Sequence, residues 1–484
     1  MKPEDVQGLR SESEVQTERK ESEMKTLLRG GRVVSGEGFK EADILIDGEQ
    51  IVKLAPEIRV DGEEDVEVTD VTGRWIFPGF IDAHTHFDLA VAGTVTADNF
   101  ETGTKAAVSG GTTLILDFAT QYRGETLQQG IDNWHKKADG NCSCDYGFHL
   151  AISEWNEELS KEIGKIVEDG VTSFKLYMIY DDNMLDDKSI YQVLKRLKEV
   201  GGIAGVHCEN SGVVKAMVEE QKVKGNLGPS AHPASRPAAV EAEAVSRLLK
   251  IAALAEAPVI VVHLSSGAGY QEVKYARERG QEIYLETCPQ YLLLDESRYK
   301  QEGFEGGKYI IAPPLRRVED QTRLWNALRG DNIQTISTDH CSFTLAQKEM
   351  GKEDFTRIPG GMAGVETRPV LMYTYGVETG KISIEQMCRL LSENPAKLYG
   401  VYPQKGCIAE GSDADLVVWN PDVSWTLTKE NQVANVDYQA YEGFPVKGQA
   451  EKVYLRGQLV SECGKVVREH QGRYIRRQTY MPLE

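Results

Sequence analysis

Four histidines and one aspartate in this sequence stand where short apolar runs end, and together they could hold metal. They are His84 and His86 in Asp82-Ala83-His84-Thr85-His86, His207 after Val206, His263 after Val262, and Asp339 after Thr338. A lone histidine is more often a satisfied core or surface group, and His135, His149, His232 and His470 are read that way. Five such residues at the ends of four runs need one explanation. In an extended strand side chains alternate, so His-x-His turns both imidazoles to one side and both can grip one ion. Neutral imidazole and carboxylate suit zinc, with manganese or iron as alternatives.

Lys175 lies inside the apolar run Thr172-Ser173-Phe174-Lys175-Leu176-Tyr177-Met178. An ammonium buried beside metal cations is opposed by desolvation and by like charge. Either the amine snorkels out or pairs with Asp339, or it loses its proton and reacts with carbon dioxide. The resulting carbamate is an anion with two oxygens, able to bridge two ions.

Positioning these residues requires a particular frame. Between about Gly79 and Gly400, strand-like runs near 75–84, 112–118, 147–152, 172–178, 203–208, 259–264, 283–288 and 334–340 alternate with helical patterns. In 188–200, Ile190, Val193, Leu194, Leu197 and Val200 share one helical face. Eight strands with crossover helices predict a (β/α)8 barrel, an α/β fold whose active site lies at the C-terminal strand ends. The metal-ligand candidates fall there. Hairpin-like texture around Gly30-Gly31-Arg32-Val33-Val34 and Asp43-Ile44-Leu45-Ile46-Asp47-Gly48 returns at Ala414–Trp419 and Lys452–Leu455. The two ends are therefore expected to build one small β-sandwich, from residues 24–78 and 401–460, around a catalytic barrel at 79–400. Residues 1–23 are charged and apolar-poor and read as a disordered extension, and 461–484 as a tail.

Composition narrows the classes. The 484 residues carry a formal net charge of −20, which disfavours nucleic acid and anionic membrane as partners. No run approaches the ~20 apolar residues of a membrane span. Eight scattered cysteines, Cys142 and Cys144 among them, read as reduced thiols of a cytoplasmic protein. Gly36-Glu37-Gly38 and Gly267-Ala268-Gly269 lack the third glycine of a dinucleotide loop.

His84-Thr85-His86 after Phe77-Pro78-Gly79-Phe80-Ile81-Asp82, with Lys175, His207, His263 and Asp339 at later strand ends, resembles the binuclear amidohydrolase superfamily. Thr172-Ser173-Phe174-Lys175, His232 through Ser235-Arg236-Pro237, Glu286-Thr287-Cys288-Pro289-Gln290-Tyr291-Leu292 and Ser337-Thr338-Asp339-His340-Cys341 are similar to the hydantoinase/dihydropyrimidinase family, as is Gly411–Val417 where the chain returns to the small domain. The resemblance implies that His84, His86 and Asp339 bind one divalent ion, His207 and His263 a second, and that Lys175, as N6-carboxylysine, bridges them. It implies a hydrolase in which metal-activated hydroxide attacks a ring carbonyl, Asp339 acts as general base and then acid, and the Tyr180 hydroxyl steadies the oxyanion. It also implies substrate contacts from the backbones of Cys288 and of Gly360, where Pro359-Gly360-Gly361 departs from the family's usual Pro-Asn-Gly. Homodimers or homotetramers follow by the same resemblance, with Arg473–Glu484 as a candidate contact.

The implied substrates are small cyclic amides, 5-substituted hydantoins or 5,6-dihydropyrimidines, opened to N-carbamoyl amino acids. Allantoinase and dihydroorotase are the alternatives. Dihydroorotase follows its second histidine with a carboxylate-binding arginine, whereas His86 precedes Phe87-Asp88-Leu89. Metal-free scaffold relatives have lost ligands that this chain keeps.

Overall fold

The computed structural model describes residues 24–60, 62 and 65–483, so the extension expected at 1–23 lies outside the described residues. Eight parallel strands follow one another in chain order: Phe80–Thr85 (β1), Thr112–Thr120 (β2), Asp145–Ala151 (β3), Ser173–Tyr177 (β4), Ile203–His207 (β5), Val259–Val261 (β6), Ile283–Thr287 (β7) and Thr335–Ile336 (β8). Beyond β8, the N–H of His86 donates to the His340 carbonyl at 2.8 Å, bringing the last strand back to the first.

Each strand is buried on two sides, which is why it reads as a nearly continuous apolar run. Ile81, Ala83, Leu114, Leu116, Ile203, Ile260, Val262 and Tyr284 fill the barrel interior. Their neighbours Phe80, Ile115, Phe174, Val206, Val261 and Leu285 join the larger core under the helices. The expected helix forms over Asp187–Val200, with Ile190, Val193, Leu194 and Leu197 buried. The Asp186 side chain caps its start by accepting from the Ser189 N–H, and Gly201 at φ 76° ends it in the left-handed region.

One expected strand divides. The run 75–84 breaks at Gly79, where a Cβ would sit 2.0 Å from Thr113 Oγ1. Trp75–Pro78 leaves the barrel and becomes the hub of the second sheet. There it pairs parallel with the N-terminal strand Lys25–Ser35 and antiparallel with Leu416–Thr426. The two ends of the chain thus share one nine-stranded mixed sheet with its own core of Leu28, Ile44, Ile51, Ile76, Leu416 and Val418. Gly30-Gly31, expected to punctuate short strands, instead lies within Lys25–Ser35 at a register shift.

The C-terminal segment does not hang free. Strands Gln458–Glu462 and Lys465–Val466 extend the mixed sheet beyond residue 460. Residues 472–481 are then stitched to the barrel: Ile475 N–H donates to Tyr146, Arg477 N–H to Gly170 and Gln478 N–H to Gly400. Ile475 enters the interior core, leaving side chains such as Arg473 and Arg476 facing outward. No described helix is long and apolar enough to cross a membrane.

Candidate active site

The His-x-His pair faces inward because β1 carries an extra residue. Ile81 pairs with Leu114 and Asp82 with Ile115, yet Thr85 rather than His84 pairs with Asp117. Such a bulge reverses the side-chain alternation beyond it. Thr85 turns outward, its hydroxyl donating to Asp117 at 2.8 Å, while both histidines turn onto Phe118, with ring centroids 4.5 and 5.0 Å away. Asp117 also accepts the Phe87 N–H and the Trp134 indole N–H, so it locks the loop after His86. Backbone conformation does the same for His263: Val259 and Val261 point outward, Ile260 and Val262 inward. Simple alternation sends His263 outward, and its φ of 39° re-aims it. Asp339 (φ 52°) and Tyr180 (φ 75°) share this costly left-handed geometry, as functional sites often do.

The polar atoms converge. One Asp339 oxygen lies 3.2 Å from His84 Nε2 and 3.1 Å from His86 Nε2. Ligand atoms of His84, His263 and Asp339 lie within 4.8 Å of one another, and the His207 and His263 rings are 4.5 Å apart. Lys175 Nζ reaches His84 Nε2 at 3.4 Å and sits 4.8 Å from the Phe118 ring centre. No ion pair joins Lys175 to Asp339 or another carboxylate among the described residues. The lysine is buried and does not snorkel out.

Burial lowers the pKa of Lys175 to about 8. Burial, with Lys175 nearby, holds His263 well below its ordinary value, and burial holds His86 at about 4 and also lowers His207. Burial opposes ionisation of Asp339, but His84 and His86 outweigh it and keep the carboxyl well below its usual range. Among the histidines His84 is the exception: burial and Lys175 oppose its protonation, but Glu286 and Asp339 outweigh them and raise its pKa, so an ion there would displace its proton. The neutral imidazoles of His86, His207 and His263, an ionised carboxylate and a readily deprotonated amine are forms that bind divalent metal. Two further observations fit an ion. Buried His263 Nδ1 has no hydrogen-bond partner among the described residues. Donors ~2.0–2.1 Å from one tetrahedral ion lie ~3.3 Å apart, close to the spacings around Asp339.

Two glutamates complete the arrangement, and neither was assigned a role from sequence. Glu286 Oε1 accepts from His84 Nδ1–H at 2.6 Å and from the His263 N–H at 3.1 Å, fixing the tautomer that turns His84 Nε2 inward. Glu209 accepts from His207 Nε2–H at 2.8 Å and pairs with Arg236 at 2.7 Å. A charged residue inside or just after an apolar strand was the available signal, the same one that marks Lys175.

A cavity of about 750 Å³ opens over the cluster, lined by His84, His86, Lys175, His207, His263 and Asp339 together with Tyr180 and Gly360. Burial raises the Tyr180 pKa, so the phenol stays a donor at neutral pH. Cys288 is buried and does not line this cavity, and its carbonyl accepts from the Tyr291 N–H at 3.1 Å. His232, read as an ordinary histidine, does line it, with Nε2–H donating to the Ile311 carbonyl at 2.7 Å. His149 is a satisfied core histidine between Ser173 and Ala83. Glu101, Glu469 and His470 form a separate surface group, but Lys105 already pairs with both acids at 2.9 Å.

A model described as the amidohydrolase family matches residues 75–460. A D-hydantoinase from Streptomyces coelicolor is 42% identical over 462 residues, covering 94% of this chain and 98% of that protein. The chain belongs to the hydantoinase/dihydropyrimidinase family of amidohydrolases. A D-hydantoinase from Geobacillus stearothermophilus is 40% identical over 464 residues, covering 95% and 98% of the two chains. The crystal structure of a dihydropyrimidinase from Brevibacillus agri superposes with a TM-score of 0.92 at 42% identity, covering 94% of this chain and 99% of that one. As a member of this hydantoinase/dihydropyrimidinase family, the protein is an enzyme of the cyclic-amide-hydrolysing class, and the histidine cluster at the barrel mouth is its candidate active site.

Proposed function

We propose that the enzyme opens 5-substituted hydantoins or 5,6-dihydropyrimidines to N-carbamoyl amino acids at a two-metal site. His84, His86 and Asp339 would hold one ion and His207 and His263 the other, with Lys175, as its carbamate, an anionic ligand available to both. The observation that carries this reading is the buried Lys175 amine, without a carboxylate partner, among four inward-turned histidines and Asp339. With a pKa of about 8, roughly a tenth of that amine is unprotonated at pH 7. Its nitrogen attacks carbon dioxide, a C–N bond forms, the nitrogen gives up a proton, and an anionic bridge replaces a cation. Two divalent ions, zinc foremost, supply carbonyl polarisation and a water ionised at neutral pH.

The chain's own residues do the rest. Asp339, held ionised, takes the proton of the attacking water and returns it to the leaving ring nitrogen. Tyr180 donates its hydroxyl to the carbonyl oxygen as charge collects there. The Gly360 backbone orients the ring from the cavity wall; Cys288 lies behind that wall with its carbonyl already accepting from Tyr291, so a contact from it requires the backbone there to shift. Arg236, Lys215 and Lys222 also line the cavity, but each is paired, with Glu209, Asp181 and Asp354. That pairing favours a neutral ring over anionic dihydroorotate.

Eight cysteines without a disulfide suit a reducing cytoplasm. Dimers or tetramers are proposed from family membership, and the proposed domains are the barrel at 79–400 and the small domain at 24–78 with 401–460, whose sheet runs on to Val466. The deciding experiment is turnover by the zinc-loaded, bicarbonate-treated enzyme on dihydrouracil, hydantoin, phenylhydantoin, allantoin and dihydroorotate. Highest kcat/KM is expected among the first three. Preference for dihydroorotate or allantoin would overturn the substrate assignment.

A further inference from the structure

Lys348 is a second fully buried lysine, nine residues beyond Asp339, and the reaction described above makes no use of it. It sits in the short helix Leu345–Glu349, whose start is fixed by a capping box between Thr344 and Gln347. Its Nζ donates to three main-chain carbonyls: Ile310 at 2.8 Å, Pro359 at 2.7 Å and Gly361 at 2.7 Å. An ammonium has three N–H bonds, so these acceptors match its full donor set. Burial lowers its pKa to about 7, and no carboxylate is among the groups acting on it. A methionine of similar length would fill this space without that desolvation cost. The position therefore demands donors, not volume.

Two of the three carbonyls belong to cavity-wall residues, Ile310 and Gly361, and the third, of Pro359, immediately precedes Gly360. Ile310, Gly360 and Gly361 all line the cavity. The Gly361 N–H donates to the Ile310 carbonyl at 2.9 Å, and the Cys341 N–H to Met362 at 3.1 Å. Gly361 approaches so closely that a Cβ there would lie 2.1 Å from the Cys341 carbonyl oxygen. One ammonium thus ties the loop around Gly360 to residue 310 and to the same segment that supplies Asp339.

We propose that Lys348 is a positioning residue whose ammonium clamps the carbonyls of Ile310, Pro359 and Gly361, holding the Gly360 backbone in the pose that receives the cyclic amide. This role rests on the reading that Gly360 contacts substrate, because Lys348 itself does not line the cavity. It is distinct from a general contribution to stability, which lowers the melting temperature without a selective effect on substrate binding.

The test compares metal-loaded wild type with Lys348→Met, using dihydrouracil and hydantoin. Metal content is expected to be unchanged, KM to rise roughly tenfold, the change equivalent to one lost positioning hydrogen bond, and kcat to stay within about threefold. Amide exchange in residues 357–363 is expected to quicken at least tenfold, with barrel strands β4 and β5 unaffected. Unchanged KM with unchanged exchange overturns the proposal, and so does a loss confined to kcat. If Lys348→Met does not fold, Lys348→Gln, which keeps only part of the donor set, decides by the same two readouts: raised KM with faster exchange in residues 357–363 supports the clamp, and the absence of both changes overturns it. Wild type that hydrolyses neither compound counts against these two substrates and not against the clamp, which the exchange comparison still tests.

Discussion

Replacing Glu286 with glutamine isolates the contribution of a group that touches no substrate. Its carboxylate is buried and holds two donors that set the metal cluster, His84 Nδ1–H at 2.6 Å and the His263 N–H at 3.1 Å. The glutamine amide keeps the shape and one carbonyl acceptor but removes the charge. Hydrogen bonds to charged groups contribute about 1.5–3 kcal/mol and neutral ones about 1 kcal/mol, so two weakened bonds cost roughly 1–4 kcal/mol. Carboxylates that orient metal-binding histidines typically account for about 10–100-fold in affinity, or roughly 1.4–2.7 kcal/mol, within that range. Zinc bound per subunit would be measured across buffered free-zinc concentrations for wild type and Glu286→Gln. A 10–100-fold weaker midpoint is expected, with the metal-free proteins differing little in melting temperature. Equal midpoints within twofold would refute the claim that Glu286 orients His84 for metal.

Lys175→Ala should lose turnover and retain fewer ions per subunit, with short carboxylic acids restoring part of both; full activity in that variant removes the carbamate bridge. Tyr180→Phe should lower kcat by about 10²–10³, equivalent to roughly 3–4 kcal/mol, with metal content intact, and a kcat within threefold of wild type would take the hydroxyl out of the mechanism. Burial raises the Asp117 pKa from 3.8 to about 6, so the unfolded chain ionises first as pH rises. Asp117 therefore stabilises most at low pH, and loses roughly 3 kcal/mol of that contribution between about pH 4 and 6. Urea titrations should show the wild-type advantage over Asp117→Asn shrinking across that window; a constant or widening gap contradicts the assignment.

Much of this molecule is legible without coordinates. Each of the eight apolar runs contributes a barrel strand, the first only through its second half, because parallel strands covered on both faces need apolar side chains on both. Lys175 announces itself because a charge in such a run has no comfortable exit. Gly79 was visible as a residue, but not as the point where 75–84 divides, since that depends on Thr113 lying against it. Glu286, within β7, and Glu209, two residues past β5, interrupt apolar runs, but their roles depend on partners that the chain brings in from elsewhere, His84 and His263 for Glu286 and Arg236 for Glu209. Lys348 gave no signal in Gln347-Lys348-Glu349, an ordinary polar stretch, because its three acceptors come from residues 310, 359 and 361.

The sequence by itself determined which chemistry is present: imidazoles, carboxylates and one misplaced lysine at strand ends, on a barrel frame. Tertiary structure decided where that chemistry points. A bulge between Asp82 and Thr85 and a left-handed His263 turn the ligands inward, and both depend on pairing and packing with neighbouring strands. Periodicity assigns a side chain to one of two faces; only the assembled barrel decides which face is the inside.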